Sequence, residues 1–367
     1  MKRLMDLVER LDYTLMQGTL EQDISALVYD SRKVEPDCIF VCVVGAVSDG
    51  HSYLPDVTAK GASVVVVEHD VKVPADVTVL KVSNSRLALA ELSAAWFGHP
   101  AEKLTTIGVT GTKGKTTTTY MMRQMMEHAG LKTGLIGTIE IIIGEEHIHA
   151  VNTTPESYLV QEYFRRMVDA GLKYVVMEVS AHALALRKLT GIRFDVAAFT
   201  NLSQDHFDFF GNFDNYLAAK MKLFTPEMCA RAVYNADDER VAHAMKGVSI
   251  PAEGYAIRVP ADIYAKNIDV GERGCSWMLT FNKRFRLEID MHLSGVFNVY
   301  NGMTAAALCD SVGVSPEAIK AGLESVKNVP GRIELLDTET PYRVILDYAH
   351  SPDALENILT TVRQTAR

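Results

Sequence analysis

Residues 106–119 read TIGVTGTKGKTTTT, an apolar strand running into a glycine-containing loop and then the opening of a helix. Gly111 and Gly114 let the backbone turn tightly and aim its N–H groups at phosphate oxygens. Lys115 adds a mobile positive charge, and the Thr116 hydroxyl is a candidate magnesium ligand. Met121, Met122, Met125, Met126 and Ala129 follow at helical spacing, and Gly130 supplies a C′ stop. A nucleoside triphosphate site is the first reading. The alternative is a tight turn in an α/β domain that happens to be rich in Gly and Thr, since Val109 stands where the standard phosphate-loop pattern has Gly.

A chain of 367 residues has room for two or three domains. The 37 basic and 46 acidic side chains leave a net charge of −9, with no basic excess to neutralise a nucleic-acid backbone. A local cationic pocket for a phosphorylated small molecule stays open. The five cysteines are scattered, and Cys38 and Cys42 lie in an apolar run where core thiols are expected rather than metal ligands. The segment from Met1 to Asp6 and Leu7 soon acquires acids and has no long apolar core, so neither a signal peptide nor a membrane span is expected, and the cytoplasm is the default compartment.

Three regions separate along the chain. In residues 1–98, short strands such as Ile39–Val44 and Val64–Val67 alternate with turns and helices, and a helix from Leu87 to Trp96 ends at Gly98-His99-Pro100. Residues 99–330 open with the phosphate loop and continue with apolar strands at 173–179 and 194–200, the pattern of a mostly parallel sheet covered on both faces. Ligands in such sheets sit beyond the carboxyl ends of the strands. Three polar clusters follow strand ends in this way: Thr110 to Thr116, Glu178 to His182, and Asn201 to Asp208. Residues 331–367 offer a strand from Tyr342 to Asp347 and roughly one helix, too little for a core of their own.

Glu178 ends a strand that is otherwise apolar, where a carboxylate is costly unless it faces a cation or the mouth of the sheet. Asp205 and His206 follow another strand end. A carboxylate and an imidazole near nucleotide phosphates suit magnesium; a capped strand end and a satisfied semi-buried histidine are the plainer alternatives.

The segments TGTKGKTTT, EVSAHAL, FDVAAFTNLSQDHFDFFG, YLAAKMKLF, NADD, FNVYN, VPGRIE and DYAHSPDALE stand in the order and approximate spacing of the Mur ligases. Together with DSRKVEPDCIF and DGHSYLPDVTAKGA near the start, they most resemble the tripeptide-synthetase (MurE) branch of that family, over essentially the whole chain. The resemblance implies an α/β protein with a small N-terminal uridine-binding domain, a central P-loop domain and the start of a C-terminal domain. It implies that Gly111, Thr112, Gly114, Lys115, Thr116 and Thr117 cradle ATP, that Asn298 and Asn301 contact adenine, that Arg332 reaches the phosphates and that Asp347 meets the ribose. Thr116, Glu178, His206 and Lys220 would hold magnesium, Lys220 as a carbamate. By sequence alone Lys220 is an ordinary helix-surface lysine, the asparagines are equally candidates for caps, and Asp347 fits a local turn. Ser31 and Arg32 match the uridine pocket, while Asn152, Thr153, Thr154, Ser180 and Lys188 match positions that hold the rest of the nucleotide sugar; turn chemistry is the alternative for the Ser, Asn and Thr positions.

The implied reaction is ATP-dependent amide formation on UDP-MurNAc-L-Ala-D-Glu, with lysine or meso-diaminopimelate as the amine, by a monomer with no nucleic-acid partner. Folylpolyglutamate synthase, which shares the ATP core, and a non-catalytic nucleotide-binding module are the rival readings. Three positions depart from the pattern: Lys113 replaces a usual Asn, Lys188 a usual Arg, and Leu186 a polar contact of some members. The family's third domain is expected to continue past Arg367 and to hold the amine-selecting motif, so the sequence resembles a C-terminally truncated form.

Overall fold

A computed structural model describes the chain except residues 46–47, 272–273, 283, 337, 339, 341, 343, 350–351 and 366–367. Contacts divide it into two compact units. One comprises Met1–Lys103, Pro155–Val168 and Leu186–Ile192; the other comprises Leu104–Thr154, Asp169–Ala185 and Arg193–Arg367. Two stretches beyond residue 98 thus pack with the first unit, which the linear sequence gave no reason to expect.

The first unit is built on strands β1 (Thr14–Gln17), β2 (Leu27–Val28), β3 (Ile39–Val41), β4 (Val64–Val67) and β5 (Thr78–Lys81), in the order β1-β5-β4-β3-β2. All pairings are parallel except β1 with β5. Valine's branched Cβ suits the pleated backbone, and all four valines of β4 are fully buried, as a strand covered on both faces requires. Helix α1 (Ser85–Trp96) starts where the Asn84 side chain accepts a hydrogen bond from the Leu87 N–H, and it buries Ala88, Leu89 and Leu92 against the sheet. Cys38 and Cys42 are buried free thiols, as their apolar run predicted.

The second unit carries β6 (Thr105–Thr110), α2 (Lys115–His128), β7 (Thr133–Ile136), β8 (Glu140–Ile143) and β9 (Glu146–His149). After α3 (Ser157–Asp169), most of which packs in the first unit, come β10 (Tyr174–Glu178), β11 (Val196–Phe199), α4 (Phe213–Met221), β12 (Ala232–Asn235) and β13 (Ala252–Ala256). Then follow β14 (Ile263–Gly271), β15 (Gly274–Phe281), β16 (Phe285–Met291), α5 (Val296–Ser311) and α6 (Pro316–Ser325). The sheet order is β9-β8-β7-β10-β6-β11-β12-β13-β14-β15-β16. Neighbours from β7 to β14 in that order pair in parallel, and antiparallel strands extend both edges. The phosphate-loop strand β6 lies between β10 and β11, so the chain leaves it in one direction and returns on the other side. That is a topological switch point, where the loops beyond the carboxyl ends diverge and leave a crevice.

The last described segments are β17 (Glu334–Leu336) and β18 (Val344–Leu346), an antiparallel pair, followed by α7 (Pro352–Thr365). The sequence suggested a single strand beginning at Tyr342. The structure has two, and among the described residues the second begins at Val344; Arg343 lies outside them. A hairpin satisfies the backbone of each short strand, which one strand alone would not do.

Helix α2 is covered by the methionine face predicted for it. Met121, Met122, Met125 and Met126 are fully buried with Val299, Met303 and the alanines of α5. On α6, Gly322 meets α2 so closely that an added Cβ would lie 2.3 Å from the Met125 Cα. Gly322→Ala should therefore overpack this contact at about 1–3 kcal/mol, against roughly 1 kcal/mol of improved helix propensity. A urea unfolding midpoint below that of the wild-type chain is expected. An unchanged or higher midpoint would show that the two helices separate without strain.

Candidate active site

The phosphate loop adopts its shape because two glycines take conformations closed to other residues. Gly111 has φ +143° and Gly114 φ +86°. A Cβ at Gly111 would fall 1.9 Å from Thr200 Oγ1, and one at Gly114 2.3 Å from Asn301 Oδ1. The loop is then pinned by the segment after β11. The Thr112 N–H donates to the Asn201 carbonyl and the Lys113 N–H to Asn201 Oδ1, both at 2.9 Å. The Lys113 carbonyl accepts from Thr200 Oγ1 at 2.7 Å and from Asn201 Nδ2 at 3.0 Å. With those groups engaged, the first N–H groups of α2, which have no acceptor within the helix, remain to face an anion.

Cations converge on this loop. Lys115 Nζ donates to the carbonyls of Gly111 and Thr112 at 3.0 Å each. Lys220, expected as a surface residue by sequence alone, is 1% exposed and donates from Nζ to the same Gly111 carbonyl at 2.9 Å, above the Tyr216 ring. Burial, then the Lys115 charge, pushes Lys220 well below the ordinary lysine range, with Asp205 opposing. Lys115 is lowered as well, by burial first. Arg332 Nη2 donates to Thr116 Oγ1 at 3.0 Å, and the Thr116 hydroxyl donates onward to Glu178 Oε2 at 3.1 Å.

Glu178 is fully buried at the end of β10, and its carboxylate is satisfied by donors. Oε1 accepts from the Thr138 N–H at 2.8 Å, and Oε2 accepts from the Thr138 hydroxyl at 3.0 Å as well as from Thr116. Thr138 was missed by the sequence reading. The one signal for it is position: Gly137-Thr138 directly follows β7, in the same row of strand ends as Glu178. With its proton committed to Glu178, the Thr138 hydroxyl oxygen also lies within hydrogen-bond distance of Thr153 Oγ1, at 3.0 Å. Thr154 Oγ1 donates to the Glu178 carbonyl at 2.8 Å and accepts from the Ser180 N–H at 3.0 Å. Thr153, Thr154 and Ser180 are thus joined to the loop that carries Thr116, while Asn152 is exposed. Thr112 and Thr117 are buried in the same loop and helix start.

His206 is half-exposed, with φ +54°, beside Asp205 and the ring of His182. Desolvation holds its imidazole below the usual histidine value despite Asp205, which favours the neutral ring that metals require. The oxygens of Thr116 and Glu178 and the imidazole of His206 are of the kind that fits magnesium better than a softer ion. Among the described residues, the one group of three possible His, Cys, Asp or Glu ligands lies elsewhere, at Asp49, His51 and His69. It is already spent: His51 Nε2 accepts from the Glu68 N–H, which fixes the proton on Nδ1 facing Asp49.

Asn298 and Asn301 do not cap α5, because the helix already begins at Val296; Asn301 Nδ2 donates to Asn298 Oδ1 at 3.1 Å. Asp347 accepts from the N–H groups of Ile333 and Ala349 at 2.7 Å each. It thereby steadies Ile333 at φ +46°, a conformation β-branched residues adopt only under constraint, directly after Arg332.

In the first unit, Arg32 forms a two-pronged pair with Asp30 at 2.9 and 2.7 Å, in the turn that contains Ser31. That guanidinium lowers Asp30 to about 2. Lys188 reaches Glu156 at 3.3 Å, and Arg86, which the sequence reading passed over, approaches the same carboxylate at 3.7 Å.

Residues 109–309 match the Mur ligase middle domain, and residues 23–97 match the Mur ligase family catalytic domain. The chain is 42% identical, over 98% of its length and 75% of the relative's, to the UDP-N-acetylmuramoyl-L-alanyl-D-glutamate--2,6-diaminopimelate ligase of Clostridium perfringens. A solved structure of an enzyme of that name superposes with a TM-score of 0.84 at 23% identity, covering 100% of this chain and 74% of that one. MurF ligase from Thermotoga maritima in complex with ADP gives 0.61 at 20% identity, covering 92% and 74%. The two superpositions establish a shared fold. No helix among the described residues is long and apolar enough to cross a membrane.

The depressed Lys220 has a consequence for stability. A lysine whose folded pKa is lowered binds fewer protons folded than unfolded, so stability rises with pH from the folded value up to about 10.4. In bicarbonate-free buffer, the stability difference between wild type and Lys220→Met should therefore shift in favour of wild type as pH rises through that window. Denaturant titrations at a series of pH values measure it, and a pH-independent difference would mean that the buried amine does not titrate.

Proposed function

The chain belongs to the Mur ligase family, and on that footing we propose that it is an ATP-dependent ligase adding diaminopimelate to UDP-MurNAc-L-Ala-D-Glu in peptidoglycan synthesis. The observation that carries this reading is the 42% identity, across nearly the whole chain, to a ligase named for that reaction. The cationic phosphate loop supports the nucleotide half of it, and the ADP bound by a ligase of the same fold is in keeping. In this reading the regions 1–98, 99–330 and 331–367 serve the nucleotide sugar, ATP and domain closure respectively, in the cytoplasm, where ATP and UDP-linked precursors are found.

A carboxylate is a poor acyl donor at neutral pH. The substrate's glutamyl carboxylate oxygen attacks the terminal phosphorus of ATP, ADP leaves, and an acyl phosphate forms. The free amine of diaminopimelate then attacks the acyl carbon, inorganic phosphate leaves, and the amine proton passes to solvent or a nearby base. The amides of Gly114, Lys115 and Thr116 bind the phosphates, and Lys115 and Arg332 offset the charge that spreads over the transferring group. Asn298 and Asn301 receive adenine, and Asp347 the ribose. Ser31 and Arg32 hold the uridine end; Asn152, Thr153, Thr154, Ser180 and Lys188 hold the remainder of that substrate. Magnesium, held by Thr116, Glu178, His206 and carbamylated Lys220, would supply further positive charge beside the phosphate oxygens.

Carbamylation suits the environment of Lys220. Only a neutral amine attacks carbon dioxide, and burial beside Lys115 favours that form. The neutral nitrogen bonds to the carbon of carbon dioxide, one proton leaves to solvent, and an amine crowded by Lys115 becomes an anion facing it. With carbon-13 bicarbonate, NMR should show one carbamate resonance that Lys220→Ala abolishes. Persistence of that resonance in the variant would place the modification elsewhere.

The direct test is product formation from UDP-MurNAc-L-Ala-D-Glu, ATP and diaminopimelate, with lysine and a folate substrate in parallel. Tripeptide formation by residues 1–367 is expected to be weak, and any ADP release or product should depend on the dipeptide substrate. ADP release that follows the folate substrate instead would overturn the reading.

A further inference from the structure

Lys113 is the cation of the phosphate loop that the reaction so far leaves unused. Its backbone is fixed on both sides by Thr200 and Asn201. Its side chain is about one-third exposed and reaches Asp205, itself only 14% exposed, at 3.4 Å. That is long for a charge-assisted bond, whose usual length is about 2.7–2.9 Å. The other cations around the loop are tied more closely: Lys115 and Lys220 to backbone carbonyls, Arg332 to Thr116. Asp205 would not be stranded by the loss of Lys113, because its Oδ1 also accepts from the His206 N–H at 3.1 Å.

We propose that Lys113 is a further phosphate ligand, whose ammonium leaves Asp205 for the terminal phosphate of a bound nucleoside triphosphate. This rests on the reading of the loop as an ATP site. A terminal phosphate carries more negative charge than either inner one, so it competes best with a single carboxylate for a mobile ammonium. The amides at the start of α2 already serve the inner phosphates, and their positions are set by the backbone. A flexible four-carbon stem on a rigid loop is the kind of group that changes partners without moving the fold. Lys113 thereby makes the site discriminate triphosphate from diphosphate, which favours ADP release after transfer.

Calorimetry with magnesium and either ADP or a non-hydrolysable ATP analogue tests this on wild type, Lys113→Ala, Lys113→Arg and Asp205→Asn. Loss of one charge-assisted contact should weaken the analogue about tenfold in Lys113→Ala while ADP changes less than about threefold. Lys113→Arg should restore the difference, and Asp205→Asn should keep it, because the ammonium remains. If Lys113→Ala and Asp205→Asn instead lower the unfolding midpoint alike and leave the ratio of the two affinities unchanged, the pair is only a structural tie and the proposal fails. Absence of any adenine-nucleotide binding by wild type would overturn the reading of the loop itself, a result distinct from an unchanged ratio.

Discussion

Two lysine side chains donate to one backbone oxygen, that of Gly111, and much of the site's chemistry follows from that crowding. Unit charges roughly 5 Å apart repel by about 3 kcal/mol at an effective dielectric constant near 20. Lys220 is buried, so water screens little of this. The strain has two outlets: one amine gives up its proton, or an anion enters between them. Burial first, and then the Lys115 charge, push Lys220 toward the first, and the second is what a phosphate site does. Only glycine suits this position, because φ is +143° and Thr200 fills the space a Cβ would occupy.

Glu178 answers a related problem on the other side of the loop. A fully buried carboxylate is tolerable when each oxygen accepts from well-placed donors, and here Thr138 and Thr116 provide them. The same threonines lead outward, through Thr153, Thr154 and Ser180, to the segments that follow β9 and β10. Arg332 closes the chain of contacts from the far end of the sequence by donating to Thr116. A ligand that draws Thr116 toward itself therefore alters the partners of both Glu178 and Arg332. Coupling between the phosphate loop and the loops around it needs nothing further than these shared hydrogen bonds.

Much of this was legible in the sequence, and the failures have physical causes. The parallel sheet was readable because buried strands such as Val64–Val67 and 173–179 are continuous apolar runs, and the loop was readable because few residue types satisfy its backbone. Glu178 stood out as a charge ending such a run. Lys220 did not, because a helix pattern shows which face a residue occupies but not what covers it. Thr138 carried no compositional signal, since threonine is at home in strands and turns alike. The stretches 155–168 and 186–192 pack with the first unit through tertiary contacts that no local periodicity encodes. The C-terminal hairpin was half-seen for a similar reason: Glu334–Leu336 is too short to announce itself, and it becomes a strand by pairing with Val344–Leu346.

The balance of charge reconciles an acidic chain with anionic ligands. The chain carries −9 overall, which alone would repel a nucleotide and a nucleotide sugar. At physiological ionic strength, exposed charges are largely screened beyond about 8 Å, so the groups at the site decide. Around the phosphate loop, Lys113, Lys115, Lys220 and Arg332 face the carboxylates of Asp205 and Glu178. In the first unit, Arg86 and Lys188 both face Glu156. Each cluster holds more cations than carboxylates, and the carboxylates do not cancel the positive potential. They offset part of that charge, and Asp205 and Glu156 hold the side chains of Lys113 and Lys188, until a stronger anion arrives. Removing them would leave a site with greater charge but poorer geometry, because long ammonium side chains without a partner spread over many rotamers, whose loss on binding costs up to about 2 kcal/mol for each residue.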